Sequence, residues 1–416
     1  MKRLLQINVT ANWDSTGRIA EGIGEAAMAA GWESYIAYGR YMLPSRSHLI
    51  KIGGRADQAW HLLQTRLFDR HGLESVQATK RFIKQIEQVK PDIIHLHNIH
   101  GYYLNYPILF DYLKRWGGPV VWTLHDCWPF TGHCAYYSFA QCDRWKSGCH
   151  DCPQRHSYPL SYADRSRQNY EAKRKAFTGL SNMTLIPVSD WLKGEVEKSF
   201  LGCYNIKRIY NGVDLTAFHP ANKKFSILGV ASVWNERKGL SDFMKLRELL
   251  PMQEVNITLI GLSDEQIASL PPGITGIKRT SSIEELVRLY SENDVYVNTS
   301  NEETLGMTTI EAQLCGTPVI VYSTTAIPES VASPQAGRIV GRGNVEAVAK
   351  AIDDLRNGSW KPDIEEMRRA AKEKFGKQKR YEEYVNEFTR LTTVNHMDAY
   401  GIYQGNSAVK VMELTK

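Results

Sequence analysis

Short runs of consecutive apolar residues alternate along this chain with longer stretches in which apolar residues recur at the period of an α-helix. Each short run has the composition of a strand buried on both faces of a parallel sheet. The runs predict strands at Leu4–Val9, Ser34–Tyr38, Ile93–His97, Val120–Leu124 and Thr184–Val188, and again at Ile227–Val230, Ile257–Ile260, Val295–Asn298 and Pro318–Val321. Strands that alternate with helices in this way are typical of an α/β protein.

A turn near Asn211–Pro220, marked by Asn-Gly and a proline, separates the two series of strands. At 416 residues the chain is also longer than one hydrophobic core usually serves. We therefore predict two Rossmann-like domains, residues 1–205 and residues 206–375. Two facing sheets create one interdomain cleft, because ligands bind beyond the carboxyl ends of parallel strands. A helix at 376–395 is expected to cross back onto the first domain, and 396–416 to form a weakly ordered tail.

Basic residues are concentrated in the first half of the chain. The formal net charge is +6, whereas residues 1–189 carry 23 Lys and Arg against 15 Asp and Glu. This excess predicts an anionic partner such as a phosphate or an acidic lipid surface, although a solvated basic face would have the same composition. No apolar run is long enough to span a bilayer, and nothing near Met1 resembles a signal peptide. We therefore expect a cytoplasmic protein, with peripheral contact to the inner membrane as an open alternative.

The segment Asn298–Gly316, which reads NTSNEETLGMTTIEAQLCG, carries a carboxylate on each side of a glycine. Glu303 follows a predicted strand, a helix is predicted to begin near Gly306, and Glu311 lies on that helix. A glycine there lets backbone amides approach a phosphate at the positive end of the helix, and carboxylates accept hydrogen bonds from sugar hydroxyls. The spacing alone leaves the alternative that Glu303 is a helix N-terminal acid and Glu311 a solvated helix residue.

A basic motif, WNERKG at Trp234–Gly239, follows the strand at Ile227–Val230. Arg237 and Lys238, at a strand end that faces a cleft, can neutralise the charge of a departing diphosphate. An exposed basic loop is the alternative interpretation of the same residues.

Two features of the first half of the chain point to the same cleft. His125 stands at the carboxyl end of the strand Val120–Leu124, where it is either a cleft residue or a structural histidine with its hydrogen bonds satisfied. Gly17 lies in a turn at Asp14–Arg18, after the first strand, and can bring backbone close to a ligand.

Five of the seven cysteines lie within residues 127–152, in a long loop predicted at 127–160. Four of them have the spacing C-x7-C-x6-C-x2-C, namely Cys134, Cys142, Cys149 and Cys152. Four thiolates can close a structural zinc site, which would order a loop with few hydrophobic anchors but leave no open position for catalysis. Free thiols and two disulfides are the alternatives. A nucleic-acid-binding zinc module is disfavoured because the loop follows a Rossmann-type strand, so no nucleic-acid partner is expected.

The segment Asn298–Gly316, together with the Gly-Thr-Pro-Val that closes it, resembles the signature of glycosyltransferase family 4, the retaining enzymes of the GT-B fold. The resemblance implies that Glu303 binds donor-sugar hydroxyls and that Glu311 holds the nucleotide ribose. It further implies that the backbone at Gly306 and Met307 binds the phosphate of the sugar nucleotide.

The same resemblance extends to other parts of the chain. It implies that His125 lies beside the donor hexose and that Gly17 lies near the donor. Family members usually place an arginine a few residues before the Lys-Gly, but Val233 stands at that spacing, so Arg237 is implied to supply the charge beside Lys238. The run VWTLHDCWPFTGHC, with the CDRWKSGCHDCP that follows, is more narrowly similar to colanic acid biosynthesis glycosyltransferases.

Taken together, these features predict a retaining glycosyltransferase that moves a hexose from a UDP- or GDP-sugar to a lipid-linked glycan acceptor during assembly of a bacterial exopolysaccharide or capsule. Because no nucleophile is evident, we expect front-face attack, in which a donor phosphate oxygen takes the acceptor proton. No Asp-x-Asp sequence occurs, so no catalytic metal is expected. A nucleotide-sugar epimerase of the same architecture and a non-catalytic sugar-nucleotide-binding assembly protein are the alternative functions.

Overall fold

A computed structural model describes residues 1–213 and 225–404, with side chains for 1–213 and 225–393. Within these residues the chain forms two sheets whose neighbouring strands are all parallel. The strands of the first sheet are β1 (Arg3–Asn8), β2 (Glu33–Tyr38), β3 (His48–Lys51), β4 (Ile93–Leu96), β5 (Val120–Leu124), β6 (Met183–Pro187) and β7 (Asn205–Ile206). The strands of the second sheet are β8 (Phe225–Val230), β9 (Val255–Ile260), β10 (Ile274–Ile277), β11 (Val295–Asn298), β12 (Val319–Ser323) and β13 (Gly337–Gly341).

Both sheets have a doubly wound strand order. The first runs β3-β2-β1-β4-β5-β6-β7 and the second β10-β9-β8-β11-β12-β13. The order therefore reverses between β1 and β4 in one sheet and between β8 and β11 in the other, which places a crevice at the carboxyl ends of these strands. The four strands that the apolar pattern did not predict, β3, β7, β10 and β13, are the edges of the two sheets.

Helices connect the strands. In the first domain they are α1 (Asp14–Ala29), α2 (Arg55–Phe68), α3 (Val76–Val89), α4 (Tyr106–Trp116), α5 (Ser166–Phe177) and α6 (Asp190–Glu197). The later helices are α7 (Leu240–Leu249), α8 (Asp264–Ala268), α9 (Ile283–Glu292), α10 (Met307–Leu314), α11 (Ile327–Ser330), α12 (Val345–Arg356), α13 (Ile364–Phe375) and α14 (Lys377–Gln404). Polar N-caps start several of them, since Asn105, Ser189 and Ser282 each accept the backbone N–H three residues further on.

The last helix returns to the first domain. Gly376 forms a parallel bridge with Val213, and α14 then packs along α1, where Tyr381 is almost fully buried. The helix continues to Gln404, past the predicted end at 395, so residues 396–404 of the predicted tail have helical backbone. Residues 405–416 lie outside the described residues, as does the part of the predicted interdomain turn after Val213.

Contacts between the domains involve both apolar and charged groups. Residues of the second domain and of α13 belong to the same buried apolar cluster as the first-domain core, namely Leu305, Ile310, Leu314, Ala371 and Phe375. The Glu329 carboxylate, on α11, accepts the backbone N–H groups of Asp190 and Trp191 at the start of α6, each at 2.6 Å. The two sheets are thus held in one relative position by direct contacts.

The packing of α14 on α1 predicts an unusual response to glycine substitution. Gly22 lies inside α1, and a Cβ at this position would stand 2.1 Å from the buried Tyr381 ring, whereas a Cβ at Gly194 in α6 meets nothing within 4 Å. Replacement of a helical glycine by alanine normally raises the free energy of unfolding by about 0.5–1 kcal/mol. We expect Gly22→Ala instead to destabilise the protein by about 1–3 kcal/mol, because α14 must move.

Chemical denaturation of the two variants checks this prediction, with Gly194→Ala as the matched control. The control should unfold at the wild-type denaturant concentration or above it. A Gly22→Ala variant as stable as the control would show that α14 does not pack on α1 as described.

Candidate active site

Lys238 and Glu303 lie in the loops after β8 and β11, the adjacent strands at which the order of the second sheet reverses. The crevice at such a reversal is the usual ligand site of an open α/β sheet. The Lys238 ammonium donates a hydrogen bond to the Glu303 carboxylate, and the two side chains are 16% and 17% exposed. The Glu303 backbone N–H donates to the Thr325 hydroxyl at 3.0 Å, which holds the loop in place.

The charge of Glu303 depends on its basic neighbours. Burial alone would raise the pKa of this carboxyl, but the Lys238 ammonium, and then the Arg237 guanidinium, bring the pKa below its ordinary value. Glu303 is therefore a charged acceptor at neutral pH. A carboxylate in this state can accept hydrogen bonds from hydroxyl groups that enter the crevice.

A helix N-terminus stands next to this ion pair. Gly306 has φ +80° and is the N-cap of α10, which begins at Met307. A side chain would be strained at that φ, and its Cβ would lie 3.1 Å from the Ser330 hydroxyl. The first amides of a helix lack intrahelical partners and carry its positive end, so α10 can present N–H donors to an anion bound beside Glu303.

Glu311 lies one turn into α10 and has a different environment from Glu303. The Tyr290 hydroxyl donates to its carboxylate at 2.9 Å. Burial raises the pKa of Glu311 to about 7, against the lowering effects of the Tyr290 hydrogen bond and of the Arg18 charge. Arg18 belongs to α1 of the first domain, so the start of α1 faces Glu311 across the cleft.

Gly17 immediately precedes Arg18 and allows α1 to approach the loop after β1. The residues predicted as a turn at Asp14–Arg18 form the first turn of α1. A Cβ on Gly17 would lie 2.7 Å from the Thr10 hydroxyl and 3.2 Å from the Asn12 backbone nitrogen. Glycine is therefore required at this position for the close approach of α1 to the end of β1.

Arg237 is engaged with protein groups. One of its guanidinium nitrogens donates to the Glu302 carbonyl at 2.9 Å, and the guanidinium carbon lies 4.2 Å from the centre of the Tyr136 ring. Tyr136 belongs to the cysteine-rich loop of the first domain, so Arg237 contacts both sides of the cleft. Lys238, rather than Arg237, bonds the Glu303 carboxylate directly.

His125 follows β5 and is almost fully buried. Its Nε2 lies 3.1 Å from Nδ1 of His97, and the Nε2 of His97 lies 3.1 Å from the Gln6 side-chain oxygen. Burial lowers the pKa of His125 to about 4, so the imidazole is neutral at physiological pH. The His125 backbone carbonyl accepts the Thr304 hydroxyl at 2.9 Å, which joins this strand end to the residue after Glu303.

Asp126 pairs with a different histidine. Its carboxylate lies 2.9 Å from Nε2 of His100 and also accepts the backbone N–H of Trp128 at 2.9 Å. Nδ1 of His100 lies 3.1 Å from the Tyr158 hydroxyl. These polar groups gather beyond the carboxyl ends of β4 and β5, next to His125.

The predicted zinc site is not supported by the structure. The four cysteines of the motif line one small cavity, but the side chains described, those of residues 1–213 and 225–393, include no group of three or more His, Cys, Asp or Glu that could hold a metal ion. All seven cysteines lie in the described residues and are free. The Cys149 sulfur accepts the Gly132 N–H at 3.1 Å, and the hydrogen bond from Cys134 lowers the pKa of Cys152 to about 7.

The cysteine-rich loop is ordered by side-chain packing. The rings of Phe130 and Tyr137 lie 5.1 Å and 5.0 Å from the Trp145 ring. The ammonium of Lys173, on α5, donates to the carbonyls of Trp128 and Thr131 at 2.7 Å and 3.0 Å. The loop therefore has the hydrophobic anchors that its spacing of cysteines did not indicate.

Sequence reasoning missed two residues beside Glu303. Glu302 is fully buried and bonds backbone amides of the cysteine-rich loop, and Thr304 bonds the His125 carbonyl. Two consecutive glutamates were the only available signal for Glu302. Their partners lie in the other domain and are backbone groups, which leave no mark in the sequence.

Comparison with known families accounts for most of the chain. The family model described as "Glycosyltransferase Family 4" matches residues 17–217, and "Glycosyl transferases group 1" matches residues 224–357. The chain is 24% identical over 415 residues to "Putative colanic acid biosynthesis glycosyl transferase WcaC" of Escherichia coli (strain K12), across 93% of this chain and 100% of the relative. It is 33% identical over 102 residues to a D-inositol 3-phosphate glycosyltransferase of Mycobacterium sp. (strain KMS), across 23% of this chain and 21% of that protein.

Solved structures have the same fold at low sequence identity. Sucrose-phosphate synthase from Thermosynechococcus elongatus superposes with a TM-score of 0.70 and 16% identity, across 95% of this chain and 100% of that one. WaaG, a glycosyltransferase involved in lipopolysaccharide biosynthesis, gives 0.64 and 12%, across 93% and 99%. Anabaena Alr3699/HepE in complex with UDP-glucose gives 0.61 and 13%, across 94% and 100%.

These findings confirm the α/β class with two facing Rossmann-like domains, which is the GT-B architecture, and the likeness to colanic acid biosynthesis glycosyltransferases. The two family models match the two halves of the molecule, one model on each side of the interdomain junction. The chain belongs to glycosyltransferase family 4.

Proposed function

We propose that this protein transfers a hexose, with retention of configuration, from a UDP- or GDP-sugar to a lipid-linked glycan acceptor in the assembly of a bacterial surface polysaccharide. The Lys238–Glu303 ion pair beside the N-terminus of α10 is the observation that carries the proposal. The likeness to WcaC, a putative colanic acid biosynthesis glycosyl transferase, supports the polysaccharide class. The solved complexes of HepE with UDP and UDP-glucose support a nucleotide-sugar donor.

The ion pair would separate when the donor binds. The diphosphate would take the Lys238 ammonium and the free amides at Gly306 and Met307, while Glu303 would accept hydroxyl groups of the hexose. Charge develops on the leaving diphosphate as the glycosidic bond breaks, so Lys238 stabilises the transition state more than the bound donor. The acceptor hydroxyl attacks from the same face, and its proton passes to a donor phosphate oxygen.

His125 and Glu311 would contact the two ends of the donor. Because the His125 imidazole is neutral, it can hydrogen-bond a hexose hydroxyl and does not attract the diphosphate away from Lys238. Glu311, on the same helix as the phosphate-binding amides, lies where a carboxylate can accept the ribose hydroxyls. Gly17 and Arg18 close this side of the cleft from the first domain.

A peripheral contact with the inner membrane is part of the proposal. Over the described part of the chain, no helix has the length and apolar character to cross a bilayer. However, α2 exposes four large apolar side chains, namely Trp60 (54% exposed), Leu63 (47%), Leu67 (43%) and Phe68 (49%). Arg55 and Arg66 are exposed on the same helix. Apolar side chains flanked by arginines suit the surface of an anionic bilayer, where a lipid-linked acceptor would reside.

The transfer reaction is tested with a panel of UDP- and GDP-hexoses, with and without a lipid-linked acceptor extract. We expect acceptor-dependent nucleotide release from one donor, and we expect Glu303→Ala to reduce it at least about 100-fold, because a group that grips the reacting sugar is lost. Glu248→Gln, on the exposed face of α7, is the control and should keep wild-type activity. Near-full activity in Glu303→Ala would contradict the donor site, and interconversion of sugar nucleotides without acceptor would indicate an epimerase.

Donor affinity should depend on pH through Glu311. The pKa of this carboxyl is raised to about 7, and the ribose hydroxyls need its deprotonated form, so affinity should rise as pH increases from 6 to 8 and then level off. Below the pKa the dissociation constant should increase by up to about tenfold per pH unit. Calorimetric titration with UDP-glucose measures this change, and Glu311→Gln should remove it. An equal pH slope in Glu311→Gln would assign the dependence to another group.

The membrane contact is tested by co-sedimentation with vesicles that contain phosphatidylglycerol and with vesicles of phosphatidylcholine alone. Replacement of Trp60 and Leu67 by serine should weaken binding at least about tenfold, since both side chains lose apolar area that would enter the bilayer. The matched control replaces Leu249 and Met252, which are equally exposed in the second domain, by serine. Equal effects of the two double variants, or binding that ignores phosphatidylglycerol, would contradict the proposed surface.

A further inference from the structure

The Glu302 carboxylate is buried against the cysteine-rich loop of the opposite domain. One of its oxygens accepts the backbone N–H groups of Tyr137 and Ser138 at 3.0 Å and 2.9 Å, and the other accepts that of Phe139 at 2.9 Å. Three consecutive amides that converge on one carboxylate form an anion-binding concavity. The side chain of Glu302 is fully enclosed by this contact.

The two residues beside Glu303 are therefore both tied to the first domain. Glu302 bonds the cysteine-rich loop, and the Thr304 hydroxyl bonds the His125 carbonyl at 2.9 Å. Glu303 lies between these two anchors, with its own side chain turned to Lys238. The segment that carries Glu303 is thus fixed on both sides by contacts with the first domain, and at Glu303 itself by the Thr325 hydroxyl.

Cationic side chains of the second domain cover the same part of the loop. The Arg237 guanidinium lies over the Tyr136 ring and donates to the Glu302 carbonyl. The Arg342 guanidinium lies 5.5 Å from the centre of the Phe139 ring and donates to the Asn301 side chain at 2.7 Å. An arginine of the second domain therefore lies near an aromatic ring at each end of residues 136–139.

The physical nature of the contact determines what it can do. Burial raises the pKa of Glu302, and the hydrogen bonds from Phe139 and Ser138 oppose that effect, so the amides offset a desolvation cost. If the loop moved away, water would hydrate both the carboxylate and the amides. The contact between Glu302 and the loop amides therefore contributes little net stability. However, it forms in only one relative position of the two segments, because the donors are fixed backbone groups.

We propose that Glu302 is a positioning residue, which docks the cysteine-rich loop onto the loop after β11 and thereby holds Glu303 where it can grip the donor sugar. The part of this inference that concerns the sugar rests on the proposed function, whereas the docking itself does not. Loop docking and sugar binding are then coupled, because one short segment carries both side chains.

Docking is measured by hydrogen exchange of the full-length protein, followed in peptides that contain residues 137–139. We expect Glu302→Gln to speed exchange of these amides at least about tenfold, because an amide has one acceptor oxygen and its NH2 group opposes a backbone N–H. Glu302→Asp keeps the charge but is shorter, so an intermediate effect is expected. Unchanged exchange in both variants would overturn the docking role.

Two matched controls separate positioning from general loosening of the structure. Glu329→Gln weakens the other contact between a second-domain carboxylate and first-domain amides, which lies at the start of α6 and not at the cysteine-rich loop. Glu248→Gln makes the same charge change on an exposed helix face. Neither control should speed exchange at 137–139 by more than about twofold, which is within the usual scatter of surface substitutions.

The effect on sugar binding is measured by comparing the affinity for UDP with that for UDP-glucose, and the affinity for GDP with that for GDP-mannose. In the wild type we expect the sugar nucleotide of one pair to bind more tightly than its nucleotide, since Glu303 adds hydroxyl contacts. Glu302→Gln should reduce that preference about tenfold and leave the affinity for the bare nucleotide within about twofold, and Glu302→Asp should restore part of the preference. A merely structural role would weaken both ligands equally.

The outcomes distinguish this inference from the proposed function. An unchanged preference for the sugar nucleotide in Glu302→Gln, when exchange shows the loop undocked, would overturn the positioning role. A wild-type protein that binds none of the four ligands would contradict the proposed function, and with it the sugar-binding half of the inference. Hydrogen exchange would still decide the docking half, since it needs no ligand.

Discussion

The second domain uses two carboxylates to satisfy backbone amides of the first, and the shape of the cleft depends on these two contacts. Glu329 bonds the first amides of α6, and Glu302 bonds three amides of the cysteine-rich loop. A buried carboxylate needs fixed donors to replace its hydration shell, and backbone N–H groups are the least mobile donors that a protein has. The two contacts, together with the α14 crossover, therefore define one relative position of the sheets. The Lys238–Glu303 pair lies in the cleft between the sheets, so these contacts also fix its position relative to the first domain.

Two carboxylates of one segment acquire opposite properties from their surroundings. Lys238 and Arg237 bring the pKa of Glu303 below its ordinary value, whereas burial outweighs the Tyr290 hydrogen bond and the Arg18 charge and raises the pKa of Glu311 to about 7. One group is thus charged before any ligand arrives, and the other changes charge near neutral pH. In the proposed reaction Glu303 accepts hydroxyl groups of the reacting sugar, and Lys238 leaves Glu303 to bind the diphosphate. Glu311 accepts the ribose hydroxyls, and binding of the ribose favours the deprotonated form of this carboxyl.

The central strands were predictable from sequence and the edges were not. A strand such as β5, with neighbours on both sides, is buried at every position, and its apolar run is continuous. The edge strand β3 has no fully buried residue and so has no such run. Glu303 and Lys238 could be singled out because a motif places them after strand ends, and Glu311 because the same motif continues into α10. Glu302 and Thr304 could not, because they bond main-chain atoms of the other domain. The cysteine spacing suggested zinc because a pattern of thiols says nothing of the aromatic side chains around them.

The same aromatic side chains explain how the cysteine-rich loop can act as a docking surface. Trp145 packs against Phe130 and Tyr137, and the buried Lys173 ammonium, whose pKa burial lowers to about 7, donates to two carbonyls of the loop. A loop held in this way presents its amides at 137–139 in a fixed direction without needing the second domain to order it. Docking onto Glu302 then costs little conformational entropy. An insertion that would otherwise be a long surface loop becomes a rigid part of the cleft wall, and the residue that bonds it is the neighbour of the one proposed to bind the sugar.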